Sequence, residues 1–325
     1  MRVSTAVLLA SLFLASASAS AQEQTIRVGY LSQVHDGPII ALREKLGDRY
    51  KLEYTKFLRY ADAEIALTRG DLDITSLGYV SAITAAARGG DAQYKFFVGQ
   101  SRGAINLICR EGVQVTDWSD LTDHTIGVLT GGPAEIFFND AVTGHGVALK
   151  DIERVTFPVP GPPLLQALQD GTIDCTAVYE PFAASAVADG YAAYAPLDLA
   201  DNSFRGINGG IAANTKFLKA NPEFIKAATE EVVKTIDSYN QEKQPWIASV
   251  VDMLAIPAKT AEISTEHLVL DWNLRPKMAN VLAGAVVDLG VVAEAPSAEA
   301  IDQYFTFEFL SDATGKSVED LTSAE

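Results

Sequence analysis

The chain is short of cysteine, histidine and positive charge, and each shortage removes a class of chemistry. It has two cysteines and four histidines in 325 residues. The histidines, His35, His124, His145 and His267, show no metal-ligand spacing, so neither a metal nor another cofactor is expected. With 25 basic against 42 acidic residues the net charge is -17, which opposes nucleic acid and anionic membrane surfaces as partners. The same charge says nothing about a small anionic ligand, because local donors outweigh a field that salt screens over about 8 Å.

Long hydrophobic runs are also missing. The apolar stretch Val7 to Ala15 is far short of the roughly 20 residues that span a bilayer. It follows Arg2 and precedes the small residues Ser16 to Ala21, with Ala17-x-Ala19 and Ala19-x-Ala21 as cleavage patterns. Residues 1–21 therefore read as a secretory signal peptide, with a mature start near Ser20 or Gln22. No cysteine follows the run to accept a lipid. The expectation is a soluble, periplasmic mature chain. In that compartment Cys109 and Cys175 could pair, but spacing alone does not show that they meet. Small, buried, unpaired thiols are the expected state.

About 300 mature residues exceed what one core usually serves, so two lobes are expected. Thr25 to Tyr30, Lys51 to Phe57 and Gly70 to Ser76 read as strands, with helices from about Pro38 to Leu46 and Ala61 to Arg69 between them. A second series runs from the strand Thr125 to Leu129 through a helix at Ala134 to Thr143, the strand Val155 to Val159, a helix at Pro163 to Gln169 and the strand Ile173 to Val178. This alternation predicts an α/β fold whose lobes are mainly parallel sheets flanked by helices. Lobe 1 is expected at 22–103 and 205–325, and lobe 2 at 104–204. Gly99 to Ile108 and Ser203 to Ile211 are the expected crossings. The C-terminal region, with helices at Glu223 to Tyr239, Lys259 to Leu268 and Arg275 to Leu289, is expected to clad the first lobe.

Ligands of open α/β sheets bind beyond the carboxyl ends of the strands. The loops there supply Gln33, His35 and Asp36 after the first strand, Arg59 and Tyr60 after the second, and Gly78 and Tyr79 after the third. In the second series the equivalent places hold Thr130, Gly131 and Gly132, then Tyr179 and Glu180. A Thr-Gly-Gly turn opening a helix offers free N–H groups to an anion. No Gly-Lys-Ser/Thr follows, so it is not a P-loop. The tyrosines could wall a ligand, Arg59 and Arg102 could pair with an anionic group, and Asp36 and Glu180 could accept from an N–H. The ordinary alternatives are core packing for each tyrosine, solvated surface for each arginine, and a turn brace for Glu180. Ser76, Ser81, His35 and Asp36 lack a nucleophile elbow, so an enzyme is not expected.

Ile26 to Tyr30, Gly70 to Ile74 before Gly78, Trp118 to Leu121 before Ile126 to Val128, and Ala167 to Asp174 before Tyr179-Glu180-Pro181 occur in an order that resembles the nitrate/sulfonate/taurine group of substrate-binding proteins. The resemblance covers nearly all of the mature chain. It implies a type II periplasmic binding fold with a ligand cleft between two lobes, and a monomer that delivers its solute to the membrane permease of an ABC importer. A small organic sulfonate or taurine-like zwitterion is the first expected ligand, and a nitrogen heterocycle such as a pyrimidine precursor the second. The chain departs from its relatives at Tyr179, where they often carry Trp, and at Gly78-Tyr-Val-Ser81, where they often carry a Pro shortly after the glycine.

Overall fold

The computed structural model describes residues 25–324; the expected signal peptide lies outside the described residues. The chain enters through β1 (Thr25–Leu31), α1 (Gly37–Leu46), β2 (Lys51–Phe57), α2 (Tyr60–Arg69), β3 (Ile74–Gly78), α3 (Tyr79–Arg88) and β4 (Tyr94–Arg102). It continues as β5 (Ile105–Arg110), β6 (Thr125–Leu129), α4 (Pro133–Gly144), β7 (Glu153–Phe157), α5 (Pro162–Gln169), β8 (Cys175–Tyr179), α6 (Phe182–Ala188) and β9 (Ala192–Tyr194). The return is β10 (Ile207–Asn214), followed by α7 (Thr215–Ala220), α8 (Pro222–Gln241), α9 (Lys243–Leu254) and α10 (Ala258–Ser264). Last come β11 (Val269–Leu270), α11 (Pro276–Asp288), α12 (Ala298–Asp302), α13 (Glu308–Thr314) and α14 (Val318–Ser323).

Two sheets result, in the orders β11-β4-β10-β3-β1-β2 and β7-β6-β8-β5-β9. Both are mixed. β1 pairs parallel with β2 and β3, but β10 enters between β3 and β4 and runs antiparallel to both. In the second sheet β6 is parallel to β7 and β8, whereas β5 is antiparallel to β8 and β9. A strand that carries the chain from one sheet to the other does not arrive by a βαβ crossover, so its direction is free of the parallel rule.

Burial follows position in the sheet. Every residue of β3 and β10, which lie inside the first sheet, is buried, while edge strand β2 alternates between half-buried and exposed residues. The register of β5 on β8 sets Cys109 directly opposite Cys175, and the two form a disulfide with Cα atoms 3.9 Å apart. The expectation of unpaired thiols is thereby corrected. The two cysteines are 66 residues apart, and only the strand pairing, which spacing does not reveal, brings them together.

The crossings run side by side at Gly103–Ala104 and Arg205–Gly206, where the Gly103 N–H donates to the Gly206 carbonyl at 2.9 Å. Both glycines have φ of 67°, a conformation that costs a side-chain-bearing residue energy. The C-terminal helices reach further than cladding of one lobe. α8 and α9 pack on α1, but α10 packs on α6, and α11 touches both α3 and α4. Among the described residues no helix is long and apolar enough to cross a membrane.

Candidate functional site

A cavity of about 310 Å³ opens between the carboxyl ends of the two sheets. That is at the small end of ligand pockets. One wall comes from the β2–α2 corner and α3, through Arg59, Tyr60, Glu64, Ser81 and Thr84, with Gln33 from the loop after β1. The other comes from the β6–α4 turn, Thr130 to Ala134, with Pro158, Pro160 and Tyr179. Val291, after α11, completes it. The two walls belong to different sheets, so any solute held here touches both.

Tyr60 is the hub of the first wall. Its hydroxyl lies 2.9 Å from His35 Nε2 and donates to Gln33 Oε1 at 3.2 Å. Burial holds the phenol protonated well above its ordinary range, and Tyr179 from the opposite wall adds to the effect. Tyr179 is itself buried, and desolvation raises its phenol too, partly offset by a hydrogen bond from the Ala134 backbone. Two neutral phenols therefore converge from the ends of the two sheets.

The other expected residues divide by location. His35 and Asp36 lie beneath the wall. His35 is 1% exposed and burial drives its imidazole down to about 3, which keeps it neutral. Asp36 accepts from the Leu31 N–H and from Gln100 Nε2 (2.7 Å), with Ser76 also bonded to it; burial lifts its carboxyl to about 7. Gly78 backs the Tyr60 ring, which a Cβ there would meet at 3.3 Å. Arg59 stands at the mouth, but its guanidinium is bidentate to Asp62, at 2.9 and 2.8 Å.

Three expected residues lie away from the cavity. Tyr79 is core: its ring packs edge-on to Phe96 and Phe305, because the first residue of α3 turns into the sheet face. Arg102 pairs with Asp271 at 3.0 Å and lines a separate cavity of about 520 Å³ behind the crossings, with Tyr194 and His267. Glu180 is fully buried, receiving Asn106 Nδ2 at 3.0 Å, the Tyr194 hydroxyl at 2.7 Å and the Ala184 N–H at 3.1 Å. It braces its turn, the ordinary alternative for this residue, and burial raises it to about 7.

At the start of α4, Thr130, Gly131 and Gly132 do line the cavity, and Gly131 takes φ of 73°. The Gly131 N–H, however, donates to Glu135 Oε2 at 2.8 Å. Sequence reasoning missed Ser81 and Thr84 as wall residues; their spacing of three on α3, which puts both on one helix face, is the signal that could have found them. It also missed Glu64, which lines the cavity and receives Arg88 at 2.8 Å.

Comparison with known proteins adds the following. A family model described as the NMT1-like family matches residues 19–251. A protein of Escherichia coli (strain K12) described as an aliphatic sulfonates-binding protein is 24% identical over 177 residues, 53% of this chain and 54% of the relative. The chain thus spans about half the length of that curated relative. Among solved structures, the ligand binding component of an ABC-type import system from Staphylococcus aureus, with zinc bound, superposes with a TM-score of 0.74 at 16% identity, over 90% of this chain and 100% of that one. The periplasmic aliphatic sulphonate binding protein of Escherichia coli gives 0.70 at 18%, over 86% and 99%. The periplasmic nitrate-binding protein of Synechocystis PCC 6803 gives 0.73 at 12%, over 94% and 92%. These likenesses identify the fold as that of the periplasmic binding proteins.

Proposed function

Because the chain belongs to the NMT1-like family, we propose that it is the extracytoplasmic solute-binding protein of an ABC-type importer, holding a small polar molecule between its lobes. The observation that carries this reading is the cavity walled from both sheets at their carboxyl ends, with Tyr60 and Tyr179 converging on it. A solute touching both walls stabilises the closed arrangement by its differential affinity, and the two crossings are the hinge. In this reading one lobe is 22–103 with 205–325 and the other is 104–204. Related binding proteins of this fold named above are periplasmic or parts of ABC-type import systems, which supports an extracytoplasmic place and a permease partner.

For the solute, a planar nitrogen heterocycle comes first. Arg59 is committed to Asp62, Arg102 lies outside the cavity, and the Gly131 N–H is taken by Glu135, so three of the expected anion-binding groups are not free to meet the solute. Beside Glu64 and the hydroxyls of Ser81, Thr84 and Thr130, the solute meets two neutral phenols and the Gln33 amide, a set that suits a ring with N–H and C=O groups. An organic sulfonate is the second reading, favoured by the α4 start at the cavity and by the sulfonate-binding relatives. A thermal-shift screen across sulfonates, amino-sulfonates, carboxylates and pyrimidines tests both. A ligand at about 100 times its dissociation constant should add about 2.7 kcal/mol. Stabilisation by sulfonates alone would reverse the ranking, and hydrolysed or altered solute recovered after incubation would contradict the binding-protein reading.

A further inference from the structure

We propose that Asn208 is a specificity-determining residue that reads the hydrogen-bonding edge of the solute, and that this edge carries an adjacent donor and acceptor, as in a ring amide. The inference rests on the reading of the cleft as a solute site. Asn208 is the second residue of β10, the strand that returns from the second lobe, and it is flanked by Ile207, opposite Arg102, and Gly209, opposite Gly78 and Ser101. It therefore sits at the carboxyl edge of the first sheet, behind Tyr60, whose ring and the Asn208 carbonyl both adjoin Gly78.

Asn208 is 2% exposed, and apart from the Tyr60 hydroxyl its carboxamide has no hydrogen-bond partner. A buried primary amide left largely unpaired is rare, because each orphaned polar group has lost its water without gaining a partner. The Tyr60 hydroxyl accepts from this amide, a hydrogen bond that lowers the phenol against the larger effect of burial, and Oδ1 and the second Nδ2 hydrogen remain unpaired. The same hydroxyl touches Gln33 Oε1 and His35 Nε2, and His35 Nδ1 is a further buried atom without a partner. Unmet donors and acceptors thus gather behind Tyr60.

The chemistry of the cluster selects the solute. A carboxamide offers one acceptor and two donors side by side, which match a neighbouring N–H and C=O on one ring edge. An anion would meet the Oδ1 of Asn208 and a buried carboxyl, with Asp36 Oδ1 3.9 Å from His35 Nε2. The neutral imidazole of His35 adds no positive charge. A solute reaching past Tyr60 satisfies the amide on closure, and one lacking the paired edge leaves it orphaned, which is how hydrogen-bonding sites reject close analogues.

The test is isothermal titration of the wild-type chain, Asn208→Leu and Tyr179→Ala with uracil, cytosine, nicotinamide and taurine, beside thermal melts without probe. The wild type is expected to bind at least one of the three amide-edged probes more tightly than taurine. Asn208→Leu should weaken that probe at least tenfold while melting no lower than wild type, since leucine removes an orphaned polar group. A loss below tenfold, a lower melting temperature in Asn208→Leu, or a wild type that ignores all three amide-edged probes would each overturn the assignment. Binding lost in Tyr179→Ala but kept in Asn208→Leu would remove Asn208 and leave the cleft reading standing. Binding kept in both would remove the cleft reading as well.

Discussion

Glu135 Oε2 accepts the Gly131 N–H at 2.8 Å, so the turn that opens α4 is capped by a carboxylate of the same helix. This one contact turns a motif that reads as an anion site into a donor already in use. Replacing Glu135 by Gln removes the negative charge from the helix start. Taurine affinity is then expected to rise about three- to tenfold, for a stability loss of about 0.5–1 kcal/mol, the usual scale of helix-end charge effects. Titration calorimetry with taurine on both proteins checks this, and unchanged affinity would show that the turn does not meet the solute.

Cys109 and Cys175 tie β5 to β8 within the second sheet, away from the cavity wall. Closing a loop of this length restricts the unfolded chain, and loss of such a bridge typically costs about 2–4 kcal/mol. The double variant Cys109→Ala/Cys175→Ala should lose stability of that order in urea while binding the same solutes with affinity within about twofold of wild type. Equal stability of the two proteins would contradict the prediction.

Much of this architecture was legible in the sequence. The strands at Lys51 to Phe57 and Thr125 to Leu129 and the helices near 61–69 and 134–143 stand where alternation and helical periodicity placed them, because those patterns record which face is buried. Gly103 and Gly206 fall within the stretches expected as crossings, and both adopt positive φ. Register was not. The disulfide, the antiparallel entry of β10 and the packing of α10 on α6 depend on pairings between distant segments. The site divided for the same reason: sequence put Thr130 and Tyr60 beside a strand end, but whether a neighbour such as Tyr79 or Glu180 turns toward the cleft or into the protein is decided by side-chain direction. Asn208 carried no motif and was invisible until its burial was known.

Glu180 gives a pH prediction. Burial raises its folded-state pKa to about 7, above an ordinary value of 4.5, so the folded chain holds a proton that the unfolded chain has released. Stability from this group is present in full below about 4.5 and is lost as pH rises to about 7, then stays level. The carboxylates with lowered values, such as Asp117, Asp120 and Asp170, act in the opposite sense and at lower pH. Glu180→Gln should therefore gain on wild type between pH 5 and pH 8, by on the order of 2 kcal/mol. Parallel urea unfolding of both proteins at the two pH values measures it, and a constant difference would refute it.

The solute cleft is the central claim, and a crystal structure of the chain with whichever screened probe raises the melting temperature most tests it directly. The probe is expected between Tyr60 and Tyr179, touching the Thr130 to Gly132 turn and both lobes. A probe bound in the cavity behind the crossings, beside Arg102 and His267, with the space between the two tyrosines left unfilled, would contradict it.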